Sequence, residues 1–486
     1  MSTDPPETSV TQRASRAFGW SFGNTVVSRL GTLAIGIVLA RVLGPEEFGI
    51  FAIATVTLLA VLSFNELGVS LAIIRWRDDP AKIAPTVNTI AVISSALLTA
   101  IVIVGAPVIS TALGDVRATP VVQVLGASIL LNGFVATSAA VLQREFRQKE
   151  RTIADQVNTW LGAGLSLVLA LLGWGAMSLA IGRLVATIVF GILLLHWSPV
   201  PYRFGWDPVI VRRLLRFGLP LAAASIVVFA SGYADQVVVG SLLGAQALGF
   251  YVLAFNLASW PVSIFSSPLR AVAPAAFSAL KSEPERMSRN FTRVLAILSC
   301  VSVPACLAIS GAADPVVAFV YGESWMPAAA PLLWLAAFAA LKIWFELSYD
   351  YLVVAGRSST LLIIQACSFA AALPLMLLVA EPYGVAGIAA VQCAAGLVIV
   401  APLYVMSLRG IGVRVAAMVR AVAVPLAAGL ATWVVAWLLA RVLDVPFIAA
   451  TAAGVVAVLV IAALCWWQRA DIRLLRAAAS RKGAVA

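Results

Sequence analysis

Charge is scarce in this sequence: 11% of its 486 residues are Asp, Glu, Lys or Arg, against about 25% in a soluble globular domain. That shortage excludes a water-facing surface over most of the chain. Histidine is nearly absent. The single His196 stands at a helix end and reads as an interfacial residue. The five cysteines, Cys300, Cys306, Cys367, Cys393 and Cys465, lie in apolar runs without metal-ligand spacing; they read as small buried hydrophobes, and no metal site is expected. No Walker loop, Gly-x-Gly-x-x-Gly, Gly-x-Ser-x-Gly or His-Glu-x-x-His segment occurs. The chain therefore reads as a non-enzyme with no catalytic residues and no resident cofactor.

What the sequence has is apolar length. Hydrophobic residues make up 62% of it, in runs long enough for the roughly 20 residues that cross a bilayer as a helix. The expected fold is an all-α polytopic membrane protein with about fourteen transmembrane helices. Residues 1–17 are polar, carry Arg13 and Arg16 and precede an apolar run from Phe18. The run continues to about Leu43, includes Arg29 and lacks a small-residue cleavage site, so it reads as a retained first span.

The Lys and Arg residues fix an orientation. With the N-terminus in the cytoplasm, 26 of the 33 fall in cytoplasmic segments, and only Arg41, Arg117 and Arg441 fall outside. Both termini are then cytoplasmic, in the cytoplasmic (inner) membrane. The net charge of +11 serves topology and needs no nucleic-acid partner. The basic tail suits the anionic inner surface.

Leu43-Gly44-Pro-Glu-Glu-Phe-Gly49-Ile-Phe51-Ala-Ile-Ala54 returns 200 residues later as Leu243-Gly244-Ala-Gln-Ala-Leu-Gly249-Phe-Tyr251-Val-Leu-Ala254. Each copy follows the first helix of a half, so the repeat unit is six spans, with both halves in the same orientation. The expected organisation is a cytoplasmic N-terminus (1–18), an N-lobe of six spans (19–207), a C-lobe of six (208–414), two extra helices (415–467) and a basic cytoplasmic tail (468–486). Such repeats usually build a transporter that rocks one half against the other.

Charges inside spans carry the rest of the information. Each costs roughly 2.5–3.5 kcal/mol at mid-bilayer and so should face a cavity or a partner. The cations are Arg29, Arg183, Arg270 and Lys342; the carboxylates are Glu66, Asp235, Glu346 and Asp350. Lys342, Glu346 and Asp350 share one helix face, among Trp344, Phe345, Tyr349 and Tyr351, which could stack on sugar rings or pack as core. The cations suit an anionic head group. Asp235, Glu66 and Glu346 suit coupling or gating.

At the first repeat the chain resembles the polysaccharide transporter family, the Wzx-like oligosaccharide-lipid flippases of the multidrug/oligosaccharidyl-lipid/polysaccharide exporter superfamily. The resemblance rests on Leu39-Ala-Arg41-Val-Leu-Gly-Pro45-Glu-Glu-Phe-Gly49-Ile-Phe51, on Asn65-Glu66-Leu-Gly68, on Tyr233-Ala-Asp235-Gln-Val-Val-Val-Gly240-Ser-Leu-Leu-Gly244, and on Pro274-Ala-Ala-Phe277-Ser278. Glu66 replaces the family's Asp in the second of these. The resemblance implies two lobes about a central cavity that opens alternately to each side. Its cargo would be a polyprenyl-pyrophosphate-linked oligosaccharide, with Arg29, Arg270, Lys342 and Arg183 as candidate contacts to pyrophosphate and sugar. Coupling to H+ or Na+ is compatible with the superfamily. Polysaccharide polymerase and glycosyltransferases are the implied partners. The competing readings are a drug–cation antiporter or lipid II flippase of the same superfamily and, from another class, a membrane scaffold for polysaccharide synthesis.

Overall fold

The computed structural model describes residues 10–65, 73–74, 79–145, 147–266, 277–278 and 283–469. Nearly all of the described chain is helical, with no strand among the described residues. Two long helices are divided by glycines of left-handed backbone, Gly44 (φ 72°, ψ 174°) and Gly244 (φ 85°, ψ 176°); a third divides at Gly384 (φ 57°). A side chain is strained at such a φ, which is why both copies of the repeat keep glycine there. Pro45, with its fixed φ, then opens the next helix.

The long helices are α1 (10–43), α2 (45–65), α3 (Pro80–Ala112), α4 (Thr119–Arg144), α5 (Gln148–Leu171), α6 (Ala176–Trp197), α7 (208–243), α8 (245–258), α9 (Pro284–Gly311), α10 (Ala329–Val354), α11 (358–383), α12 (385–409), α13 (Val415–Val442) and α14 (Pro446–Trp467). Ten described stretches are long and apolar enough to cross a bilayer, three of them divided by these glycines. The protein is thus a polytopic all-α membrane protein. The helix α7 starts at Pro208, where Asp207 Oδ1 accepts the amide of Val209 at 2.8 Å and caps it.

The two six-helix sets repeat their turns. Gly175 (φ 53°, ψ −141°) precedes α6, and Gly384 (φ 57°, ψ −149°) precedes α12. The sets pack on each other through α2 and α8, and the last helices, α13 and α14, pack on α9. Gly429 of α13 lies against Val303 and Leu307 of α9, and Gly311 of α9 lies against Trp433.

The linker between the sets runs along α3. Gly205 N donates to Pro85 O (3.1 Å) and to Thr89 Oγ1 (3.2 Å), and Thr89 Oγ1 donates to Gly205 O (2.8 Å). Asn88 Nδ2 donates to Arg203 O (2.9 Å), and Asp207 N donates to Thr86 Oγ1 (3.2 Å). Leu214, fully buried, then docks the start of α7 on Ile83, Val87 and Val141.

Candidate functional site

The two halves meet at the end that carries the Gly44 and Gly244 turns. A Cβ on Gly49 would overlap the carbonyl oxygen of Ala245, and one on Gly249 would crowd that of Pro45. A Cβ on Gly114, just past α3, would overlap Gly240 O. Only glycine permits backbones to approach this closely.

Beside this crossing lies a latch between the halves. It is made by the short helix Ala313–Val320 and the turn Glu323–Ala328. Trp325 is fully buried, and its Nε1 donates to Ala40 O at 3.1 Å. Phe48 of the first repeat and Phe250 of the second both meet its ring edge-on, at 5.5 and 6.0 Å. Arg41 Nε donates to Val320 O at 2.8 Å, and its Nη2 donates to Phe319 O. Arg41 enters the sequence reading as an outer-loop charge and part of a motif, with no contact assigned; in the structure it caps the carbonyl end of that short helix, where a cation is favoured. Trp325 was not singled out by sequence.

Deeper in the second half lies a buried polar node. Asp235 on α7 is fully buried. Its Oδ2 accepts the Tyr251 hydroxyl of α8 at 2.7 Å and Gln392 Nε2 of α12 at 2.8 Å. Lys342 of α10 lies within electrostatic reach, half-buried, with Nζ 5.4 Å from the centre of the Phe255 ring. The structure therefore brings Asp235 and Lys342 together and adds Tyr251 and Gln392. Tyr251 had one signal in the sequence: it replaces Phe51 of the first repeat.

The remaining candidates are dispersed. Arg183 of α6 is exposed. Glu346 is half-buried one turn beyond Lys342, and Asp350 is buried. Arg29 lies on α1, with its side chain outside the described part; Arg270 and Glu66 lie outside the described residues. The α10 aromatics mostly serve the core. Trp344 Nε1 donates to Ser299 Oγ (2.9 Å), Phe345 stacks on Tyr404 (5.4 Å), and Tyr351 packs on Phe277 and Phe291. Tyr349 remains exposed. Among the described residues no cluster of His, Cys, Asp and Glu suits a metal.

Between α2, α3 and α7 lies an apolar cleft of about 310 Å³, walled by Val56, Val61, Ile109 and Phe229 among others.

A profile of the polysaccharide biosynthesis protein family matches residues 38–330. The chain is 27% identical over 320 residues to the succinoglycan biosynthesis transport protein ExoT of Rhizobium meliloti (strain 1021), covering 64% of this chain and 63% of that one. It is 23% identical over 309 residues to the lipopolysaccharide biosynthesis protein WzxC of Escherichia coli (strain K12), covering 63% of each. The match thus spans just under two thirds of each relative. In fold, the chain is similar to the lipid II flippase MurJ in an inward closed conformation, with TM-score 0.77, 13% identity and coverage of 92% of this chain and 99% of that one. It is also similar to an inward-facing multidrug resistance MATE family transporter of the MOP superfamily, with TM-score 0.64, 18% identity and coverage of 79% and 95%.

Proposed function

Because the chain belongs to the polysaccharide biosynthesis protein family, we propose that it is an alternating-access flippase for a polyprenyl-pyrophosphate-linked oligosaccharide. It moves this cargo from the inner to the outer leaflet of the cytoplasmic membrane for export as cell-surface polysaccharide. A sugar–diphosphate head group does not cross about 30 Å of hydrocarbon unaided. Two halves of the same design, joined at one end and able to part there, solve that problem without catalytic residues. The observation that carries the reading is the join itself: the glycine crossing and the Trp325 latch seal one end.

In the orientation set by the basic loops, with both termini cytoplasmic, the sealed end is the outer one. The structure then corresponds to a state that loads from the cytoplasm. The apolar cleft between α2, α3 and α7 suits the lipid tail. Lys342 and Arg183 are the described cations for pyrophosphate and sugar, with Arg29 and Arg270 as further contacts. Asp235 couples. When Lys342 turns to an anionic head group, Asp235 loses its countercharge inside a dry site. A proton or Na+ then restores the balance. Glu66 and Glu346 are the other coupling or gating candidates. Glycosyltransferases supply the cargo, and a polymerase consumes it.

The test is a strain lacking this protein, complemented with wild type, Lys342→Gln or Arg183→Gln at matched expression. The expected result is restored surface polymer with wild type. With Lys342→Gln, polymer falls at least tenfold and lipid-linked intermediate builds up in the inner leaflet. Unchanged polymer in the deletion strain, with raised drug sensitivity, would mean efflux instead.

A further inference from the structure

The first turns of α7 present a combination that the central site does not use. A groove of about 680 Å³ is lined by Trp206, Val211, Arg212, Leu215, Arg216 and Leu219, with Pro208 at its edge. Arg212 and Arg216 are exposed. They are four residues apart, so both guanidinium groups stand on one face. Leu214 fixes the roll of the helix by burying itself against α3. At about 100° per residue, both arginines stand roughly 200° from Leu214, on the side away from α3. Arg213 is not part of the lining and is engaged elsewhere. Three large apolar side chains lie open beside the arginines: Trp206 is 62% exposed, Leu215 38% and Leu219 58%.

Height in the membrane follows from length. Residues 208–243 form one helix, about 54 Å long at 1.5 Å per residue, whereas the hydrocarbon core is about 30 Å thick. The far end turns at Gly244, inside the join between the halves. With that turn in the outer head-group layer, roughly the first three turns project past the inner edge of the hydrocarbon, which puts Arg216 in the inner head-group layer and Arg212 at its water side.

The order along this face is informative. From the cytoplasm inward come an exposed indole, two guanidinium groups one turn apart with Leu215 beside them, and then Leu219 toward the bilayer. A lipid-linked sugar has the same order: sugar, diphosphate, isoprenoid chain. Indole rings stack on sugar faces, paired guanidinium groups match the oxygens of a diphosphate, and leucine lies along a prenyl chain. The platform is fixed before any ligand arrives, because Gly205 and Asp207 are hydrogen-bonded to Pro85, Thr86 and Thr89.

We propose that this face of α7 is a loading site that captures the isoprenyl diphosphate head of the cargo from the inner leaflet, before it enters between the halves. The proposal rests on the flippase reading for its cargo and goes beyond it in naming a first, peripheral site. Two arginines distinguish a diphosphate from the single phosphodiester of an ordinary phospholipid, which is the competing occupant.

The experiment uses the full chain in nanodiscs with farnesyl diphosphate as the probe. The expected result is that Arg212→Gln/Arg216→Gln weakens binding by roughly tenfold or more, as loss of charge-assisted hydrogen bonds implies. Arg213→Gln stays within about twofold, and farnesyl monophosphate binds wild type more weakly than the diphosphate. Arg212→Lys/Arg216→Lys, which retains the charge but not the fork, recovers part of the affinity. Equal binding by wild type and the glutamine double variant would overturn the proposal. So would displacement of the probe by phosphatidylglycerol as readily as by unlabelled diphosphate, which would make the face a phospholipid anchor. A complementation arm separates the two readings. If wild type and the double variant restore surface polymer equally, the loading site fails and the flippase stands. If wild type binds the diphosphate through these arginines but exports nothing, the site stands and the flippase fails.

Discussion

The two six-helix halves share a backbone plan and differ in what they bury at matching points. Asp235 lies nine residues before Gly244, and Tyr251 lies seven after it. The first half has Ile35 and Phe51 at those offsets from Gly44. Ile35 and Phe51 pack in an apolar cluster with Leu39, Ala170 and Leu179, where the second half builds its carboxylate node. Gln392 stands eight residues after Gly384, and Arg183 stands eight after Gly175. At the places of Asp235 and Tyr251, a duplicated scaffold is therefore packed by apolar side chains in one copy and tied by hydrogen bonds in the other. Buried ionic networks often stabilise no better than well-packed hydrophobes, so the coupling role proposed for Asp235 makes a prediction that stability alone does not.

The strongest way to break the comparison is to make the second half's node apolar, with the first half's residues in place of Asp235 and Tyr251. Asp235→Ile with Tyr251→Phe and Gln392→Leu should leave a folded protein, with stability within about 2 kcal/mol of wild type. Its transport should fall at least tenfold, measured as surface polymer at matched membrane abundance. An unfolded triple variant would mean that the node is structural after all. A smaller effect is expected at the join, which both halves build together. Trp325→Ala removes a fully buried ring and its bond to Ala40, a loss of about 3–5 kcal/mol from the sealed state. A cysteine placed at Phe48 in that variant should gain reactivity toward an impermeant thiol reagent added from outside; the same cysteine beside intact Trp325 should gain none. The smallest effect sharpens the comparison. Glu47 Oε2 accepts Ala176 N at 2.6 Å and caps α6, whereas the second half has Ala247 at the corresponding place. Glu47→Ala should lower thermal stability by about 1 kcal/mol. Ala247→Glu should raise it by up to about the same amount by capping α12 at Val385. Thermal melts in detergent decide both.

The sequence displays the repeat clearly because its turns rest on local chemistry. Gly44 and Gly244 must be glycine to adopt their φ, and Gly49 and Gly249 must be glycine to let the halves touch; each leaves a visible letter. The apolar runs and the bias of Lys and Arg are equally local. The latch left no such letter. Trp325 binds Ala40 across 285 residues, and nothing in the short segment around it distinguishes a buried indole from an interfacial one. The candidate site was half visible. Asp235 and Lys342 stand out because charge is rare in spans. Their partners Gln392 and Tyr251 are ordinary residues whose roles come only from the way α7, α8, α10 and α12 pack. Arg212 and Arg216 read as topology charges because a count of basic residues cannot see that two of them share a groove with Trp206.

The linker that runs along α3 has a consequence for how the chain is made. Synthesis proceeds from the N-terminus, and early segments settle first. The surface that receives Gly205, Asp207 and Leu214 belongs to α3 and α4, so it exists before α7 has left the ribosome. The second copy thus begins its folding already moored to its own first copy. Exchange of halves between neighbouring molecules, a common failure of duplicated proteins, is opposed from the first residues of α7 onward.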